Sequence, residues 1–205
     1  MSNQYTTTSE IVSYGLGRQF GDQLSNDPFE GIKPEAIAAG LIDAMNGVDS
    51  PVSDMDFQKA FQEINEIMQA KESEKAQAAA AEGEAFLQNN AKKDNIIVLE
   101  SGLQYEIVSE GNGEMPQADS TVQVHYHGTL VDGSVFDSSV ERGQPAEFPV
   151  NRVIAGWTEA LQLMPSGSKW RLFIPSDLAY GAQGAGTIPP HSALIFDVEL
   201  LAIVN

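Results

Sequence analysis

The stretch Val122-Gln-Val-His-Tyr-His-Gly-Thr-Leu-Val131, followed by Asp132-Gly133-Ser-Val-Phe136-Asp137-Ser-Ser139, decides how this chain is read. Val122, Val124 and Tyr126 alternate with Gln123, His125 and His127. That is the period-two pattern of a half-buried strand, which turns one phenol toward its apolar side. Asp132-Gly133 is a hairpin-type turn. An aromatic, Phe136, and a carboxylate, Asp137, stand just beyond it. An apolar site with one ionisable group and no evident nucleophile points to chemistry done by environment rather than by covalent attack.

The same alternation recurs on either side. Leu103, Tyr105 and Ile107 form one run, Trp170, Leu172 and Ile174 another, and Leu194, Phe196, Val198 and Leu200 a third. Turn clusters such as Gly111-Asn-Gly113 and Pro165-Ser-Gly167 separate them. Four or five antiparallel strands with one short helix near Gly156 to Leu163 predict an α+β domain over residues 94–205.

Before residue 94 the period is helical. Thr7 with Glu10 fits a capping box, and Ile11, Tyr14, Leu16, Phe20 and Leu24 follow at roughly helical spacing. Gly17 and Gly21, four apart, leave a side-chain-free groove where another backbone can come close. A second helix is expected to start at Pro34 and stop at Asn46-Gly47. Ser53 and Asp56 open a third, and nothing stops it until about Lys93. Its middle, Lys71 to Ala81, has high helix propensity but no large apolar face, so it reads as a spacer. The division predicted is therefore 1–52 as a helical domain, 53–93 as a long connecting helix and 94–205 as the sheet domain. Residues 1 to about 68 supply too few elements to bury their own apolar faces. A second copy is the economical cover, which predicts a homodimer through the N-terminal helices.

Composition narrows the function. The chain has 205 residues, 42% hydrophobic, enough for a packed core. No apolar run approaches the ~20 residues of a membrane helix, so no membrane partner is expected. The polar start, Met1 to Glu10, lacks the pattern of a signal peptide, which makes cytoplasmic location the expectation. A formal charge of −18, shared by both halves, repels a phosphate backbone and argues against nucleic acid. There is no cysteine. His125 and His127 are two apart but point away from the face bearing Tyr126, so they read as surface residues and not as metal ligands.

Six ordered strings carry a resemblance. Val124-His-Tyr-His-Gly128, Phe136-Asp-Ser-Ser139, Val153-Ile-Ala-Gly-Trp157, Ala179-Tyr-Gly181, Ile188-Pro-Pro-His191 and Leu194-Ile-Phe-Asp-Val-Glu-Leu200 resemble the FKBP-type peptidyl-prolyl isomerases over essentially all of residues 95–205. The helical half is similar to the dimerisation region of the Mip-like members, the cytoplasmic type fitting best. The resemblance implies a twisted antiparallel sheet wrapped on a short helix, with an aromatic pocket between them. It implies that Tyr126, Phe136, Asp137, Phe148, Val153, Ile154, Trp157, Tyr180, Ile188 and Phe196 line that pocket. Trp157 would form the floor, the Ile154 N–H would receive a substrate carbonyl, and Tyr180 would donate a further hydrogen bond. Arg142 would fix Asp137 and Tyr126. Expected partners are unfolded or partly folded proteins with X–Pro bonds and macrolide inhibitors of the FK506/rapamycin type; no cofactor or metal is implied. Ala146 stands where well-studied eukaryotic members carry a phenylalanine. The loop Gln183-Gly-Ala-Gly-Thr187 is one residue shorter than theirs, with Ala185 where a histidine often sits. Both departures bear on substrate preference and inhibitor affinity.

The residues make chemical sense without the family. Rotation about an amide costs ~18–20 kcal/mol, and X–Pro is the bond where both isomers matter. The planar amide is more polar than the twisted one, so an apolar pocket that withdraws water favours the twisted state. For Asp137 two roles remain open at this point: an electrostatic interaction with the rotating amide, or simple orientation of Tyr126 and Arg142. Two functions follow, an isomerase acting on folding proteins and a module that binds apolar-Pro segments without turnover.

Overall fold

The computed structural model describes residues 4–26 and 28–204. They fall into two compact units that meet inside one helix, at Ala70 and Lys71.

The first unit is helical. Helix α1 spans Thr8–Asn26 and begins on the capping box. The Thr7 N–H donates to Glu10 Oε2 at 2.9 Å, and the Glu10 N–H donates back to Thr7 Oγ1 at 3.3 Å. Helix α2 spans Pro34–Asn46 and ends at Gly47, which adopts the left-handed conformation (φ 66°) that glycine tolerates best. Helix α3, Asp54–Asn90, opens with Ser53 accepting the Asp56 N–H at 3.1 Å. It runs 37 residues, about 55 Å at the ordinary helical rise, and stops three residues short of the expected Lys93. Neither α1 nor α2 buries a single residue. Ile11, Tyr14, Leu16, Phe20, Leu41 and Met45 all stand exposed.

The second unit is a seven-stranded antiparallel sheet among the described residues, closed by helix α4 (Ala155–Leu161). Its strands are β1 (Ile97–Val98), β2 (Gln104–Ser109), β3 (Thr121–Leu130), β4 (Val135–Ser138), β5 (Ala146–Pro149), β6 (Lys169–Ile174) and β7 (Leu194–Ile203). The order is β1-β2-β6-β7-β3-β4, with β5 also paired to β3. The sheet thus exceeds the expected four or five strands. The additions β1, β4 and β5 are two to four residues long, too short for alternation to show. The four longer strands coincide with the alternating runs. The Asp132-Gly133 turn closes the β3–β4 hairpin: the Leu130 N–H donates to Ser134 O at 2.9 Å, and Gly133 has φ 87°.

The core lies between one sheet face and α4, with Leu103, Val122, Val124, Leu161, Leu172, Ile174, Val198 and Leu200 fully buried. Gly156 lets α4 approach β6, because a Cβ there would meet the Ile174 methyl group at 2.5 Å. The last turns of α3 are more than a spacer. Gly83 packs on Ala193, and Phe86 packs on Phe173 with ring centroids 5.8 Å apart. Buried Asn90 donates its amide to Gln104 Oε1 at 3.0 Å, while Gln104 Nε2 donates to Leu87 O at 3.0 Å.

Candidate active site

Strands β3, β4, β5 and β7, the start of α4 and the loop before β7 converge on a cavity of about 760 Å³. Alternation on β3 delivers Tyr126 to its interior, since Val122, Val124 and Tyr126 are buried while their neighbours are not. Cross-strand pairing then fixes the rest: Gly128 lies opposite Asp137 of β4 and Phe196 of β7. A Cβ on Gly128 would fall 2.7 Å from the Phe136 ring and 2.8 Å from that of Phe196. The missing side chain is what lets those two rings meet edge to face, 5.4 Å apart at 83°.

Trp157, buried in α4, is the hub. It meets Tyr126, Phe148 and Phe196 edge to face with centroids 5.4, 5.9 and 5.2 Å away. Such T-shaped contacts set the positive ring edge against a negative face and are favoured over flat stacking. The indole Nε1 has no hydrogen-bond partner among the described residues. Val153 and Ile154 complete this wall. They are held in place because Thr158 Oγ1 donates to Val150 O at 2.7 Å and the Val150 N–H to Ser120 O at 2.9 Å. The backbone N–H of Ile154 has no acceptor among the described residues. On the opposite side Ala185 and Ile188 exchange backbone hydrogen bonds of 3.0 and 2.8 Å, so the short loop is a tight turn that presses Ile188 inward. Tyr180, 40% exposed, stands at the mouth.

One polar cluster edges the cage. The Tyr126 hydroxyl donates to Asp137 Oδ2 at 2.5 Å, and Arg142 Nη2 donates to the Tyr126 oxygen at 2.8 Å. Arg142 Nη1 closes the ring with an ion pair to Asp137 Oδ1. Burial pushes the Asp137 carboxyl up, but the hydrogen bonds from Tyr126 and Arg142 and the guanidinium charge outweigh it, and the group titrates below its ordinary range. Burial, and then the bond to Asp137, push the Tyr126 phenol up. Both carboxylate oxygens are engaged and the group stays ionised at neutral pH, so proton transfer is not what this arrangement offers.

Of the residues expected from sequence, Tyr126, Phe136, Asp137, Phe148, Val153, Ile154, Trp157, Tyr180, Ile188 and Phe196 all line the cavity. Arg142 does not line it and instead grips Asp137 and Tyr126 from outside. Arg152 lines the wall without having been singled out from sequence, while Ala185, Gly186 and Thr187 line it within the loop whose departure from the family pattern was noted. Ser139 is fully buried and accepts the Tyr126 N–H at 2.8 Å, pinning β3 beside the site. The histidines His125 and His127 are half-buried and bonded to Ser139 and Ser138 at 3.1 and 3.0 Å.

Comparison with known proteins decides the family. Residues 112–201 match the family model described as FKBP-type peptidyl-prolyl cis-trans isomerase, and residues 9–107 match the domain amino-terminal to it. The chain is 51% identical, over 98% of both lengths, to the FKBP-type 22 kDa peptidyl-prolyl cis-trans isomerase of Escherichia coli. This chain belongs to the FKBP-type peptidyl-prolyl cis-trans isomerases. It is 42% identical to the outer membrane protein MIP of Legionella longbeachae, covering 97% of this chain and 87% of that one. Among solved structures, FkpA from Escherichia coli matches with a TM-score of 0.70 at 35% identity, over 97% of this chain and 98% of that one. The enzyme's reaction, rotation about an X–Pro amide, makes and breaks no bond, and it therefore asks nothing of a nucleophile or a base. Helical start and sheet domain alike fall within the FKBP match.

Proposed function

We propose that this isomerase works by housing the twisted X–Pro amide in the Trp157 cage, and that it does so on folding protein chains as a homodimer. A prolyl ring seated on Trp157, between Phe136, Phe148 and Phe196, leaves its amide without the water that favours the planar, charge-separated form. The twisted amide gives up that resonance and so loses less on desolvation. Differential stabilisation of roughly 5–7 kcal/mol gives about 10⁴–10⁵-fold acceleration. The open N–H of Ile154 takes a substrate carbonyl, and Tyr180 donates at the mouth. Asp137 keeps Tyr126 and Arg142 in place, its own charge balanced by the guanidinium. The remaining wall, Val153, Ile188, Phe148 and Phe196, binds the substrate. Macrolide inhibitors of the FK506/rapamycin type occupy the same cage.

The observation that carries this reading is an edge-to-face aromatic cage whose carboxylate is already paired. The test is exchange of a prolyl peptide followed by NMR, comparing wild type with Phe136→Ala and Asp137→Ala. Wild type accelerates exchange and both variants lose rate. Unchanged rates in the variants would overturn the site.

The dimer rests on the first unit. Its α1 and α2 bury nothing, and Gly15, Gly17 and Gly21 have no atom within 4 Å of an added Cβ. Contiguous apolar faces left bare on a helical unit are unfavourable alone, and a second copy covers them with its own equivalent faces. Two linked cages raise the local concentration of sites on one client and give the pair its chaperone-like hold.

A further inference from the structure

We propose that Arg152 is a specificity-determining residue that selects substrates carrying a carboxylate side chain next to the proline. Among the described residues, only two formal charges line the cavity, those of Asp137 and Arg152. The first is cancelled where it stands, because Arg142 is paired with it. Arg152 has no hydrogen bond or ion pair with any described residue, although residues 94–205 hold 14 acidic side chains against four basic ones. The wall of the cage is thus locally positive on a strongly negative protein.

Position gives that charge its use. Arg152 ends the 3₁₀ turn Val150–Arg152, which is anchored by fully buried Val150. Val153 and Ile154 follow at once, and the Ile154 N–H is open to a substrate carbonyl. A chain bonded there brings the side chains flanking its proline past the guanidinium. The planar fork of arginine matches a carboxylate in two parallel hydrogen bonds, which no other group on this wall provides. The net charge of −18 opposes an acidic peptide at a distance, yet at physiological salt that field is screened beyond about 8 Å. Contact, not steering, then sets the preference.

This inference rests on the cage being the site of turnover, and the experiment separates the two. Four peptides are compared by protease-free NMR exchange: Glu or its isostere Gln immediately before the proline, and Glu or Gln immediately after it. In the wild type, kcat/KM for Glu exceeds that for Gln about two- to fivefold at one of the two positions, the range of a solvent-accessible ion pair. The ratio falls to about one in R152Q, inverts in R152E and is partly kept in R152K. The position at which it moves identifies which flank faces the guanidinium. A wild-type ratio of one or less at both positions, or a ratio that survives in R152Q, overturns the proposal. Phe136→Ala on the Gln peptides tests the cage by itself. Loss of rate there alongside an Arg152-independent ratio removes Arg152 and leaves the site standing.

Discussion

At the scale of single residues the site depends on a closed ring of three side chains. Asp137→Ala removes the acceptor of both Tyr126 and Arg142 and leaves both side chains free to move. The expected loss in kcat/KM is about tenfold, measured by peptide exchange. The ring also fixes the pH response. The folded Asp137 carboxyl titrates below the unfolded value of about 3.9, so its stabilisation is complete above that value and fades as pH falls through the folded one. Tyr126 has the opposite sign: its folded phenol lies above the unfolded value of about 10, so its share fades only as pH rises through the folded one. A pH–rate profile on a neutral peptide should therefore be flat from about pH 5 to 9. A bend near neutrality would contradict this assignment. Most of this ring was legible because Tyr126 and Asp137 sit in a strand-turn-strand pattern with recognisable strings around them. Arg152 and Ser139 were not. An arginine ending a single 3₁₀ turn, or a serine in a run of polar residues, has no periodicity, and its meaning comes only from what the fold brings near.

Between elements, close approach decides the outcome. Gly128 separates two aromatic carriers, and Gly128→Ala forces a methyl group against the Phe136 and Phe196 rings. Overpacking of this kind costs about 1–3 kcal/mol, so the melting temperature should drop and the cage should distort, with activity lost in the folded variant at low temperature. A variant with unchanged melting and unchanged exchange rate would show that the rings yield freely. Gly128 ends one of the recognisable strings, but alternation alone makes it an unremarkable inward position. The same limit explains the short strands β1, β4 and β5, which exist because longer neighbours offer them partners. It also explains the docked end of α3. Gly83 and Asn90 look like a helix breaker and a polar end until Ala193 and Gln104 are found against them. Helix caps, by contrast, are local, and Thr7–Glu10, Ser53–Asp56 and Pro34 to Gly47 could be read directly.

For the molecule as a whole, the bare faces of α1 and α2 and the cage are separable parts. Deleting residues 1–50 should yield monomers by sedimentation, with exchange of short peptides largely retained. Refolding of a protein limited by proline isomerisation should suffer much more if, as proposed, paired sites act on one chain. Dimers that persist after the deletion would move the interface elsewhere. The chain also carries an optical consequence of its packing. It has two tryptophans, of which Trp157 lines the cage while Trp170 lies flat against Tyr105, 4.3 Å away at 3°. Any compound that fills the cage changes the emission of the first indole and leaves the second as an internal standard, so occupancy can be titrated by intrinsic fluorescence without a label.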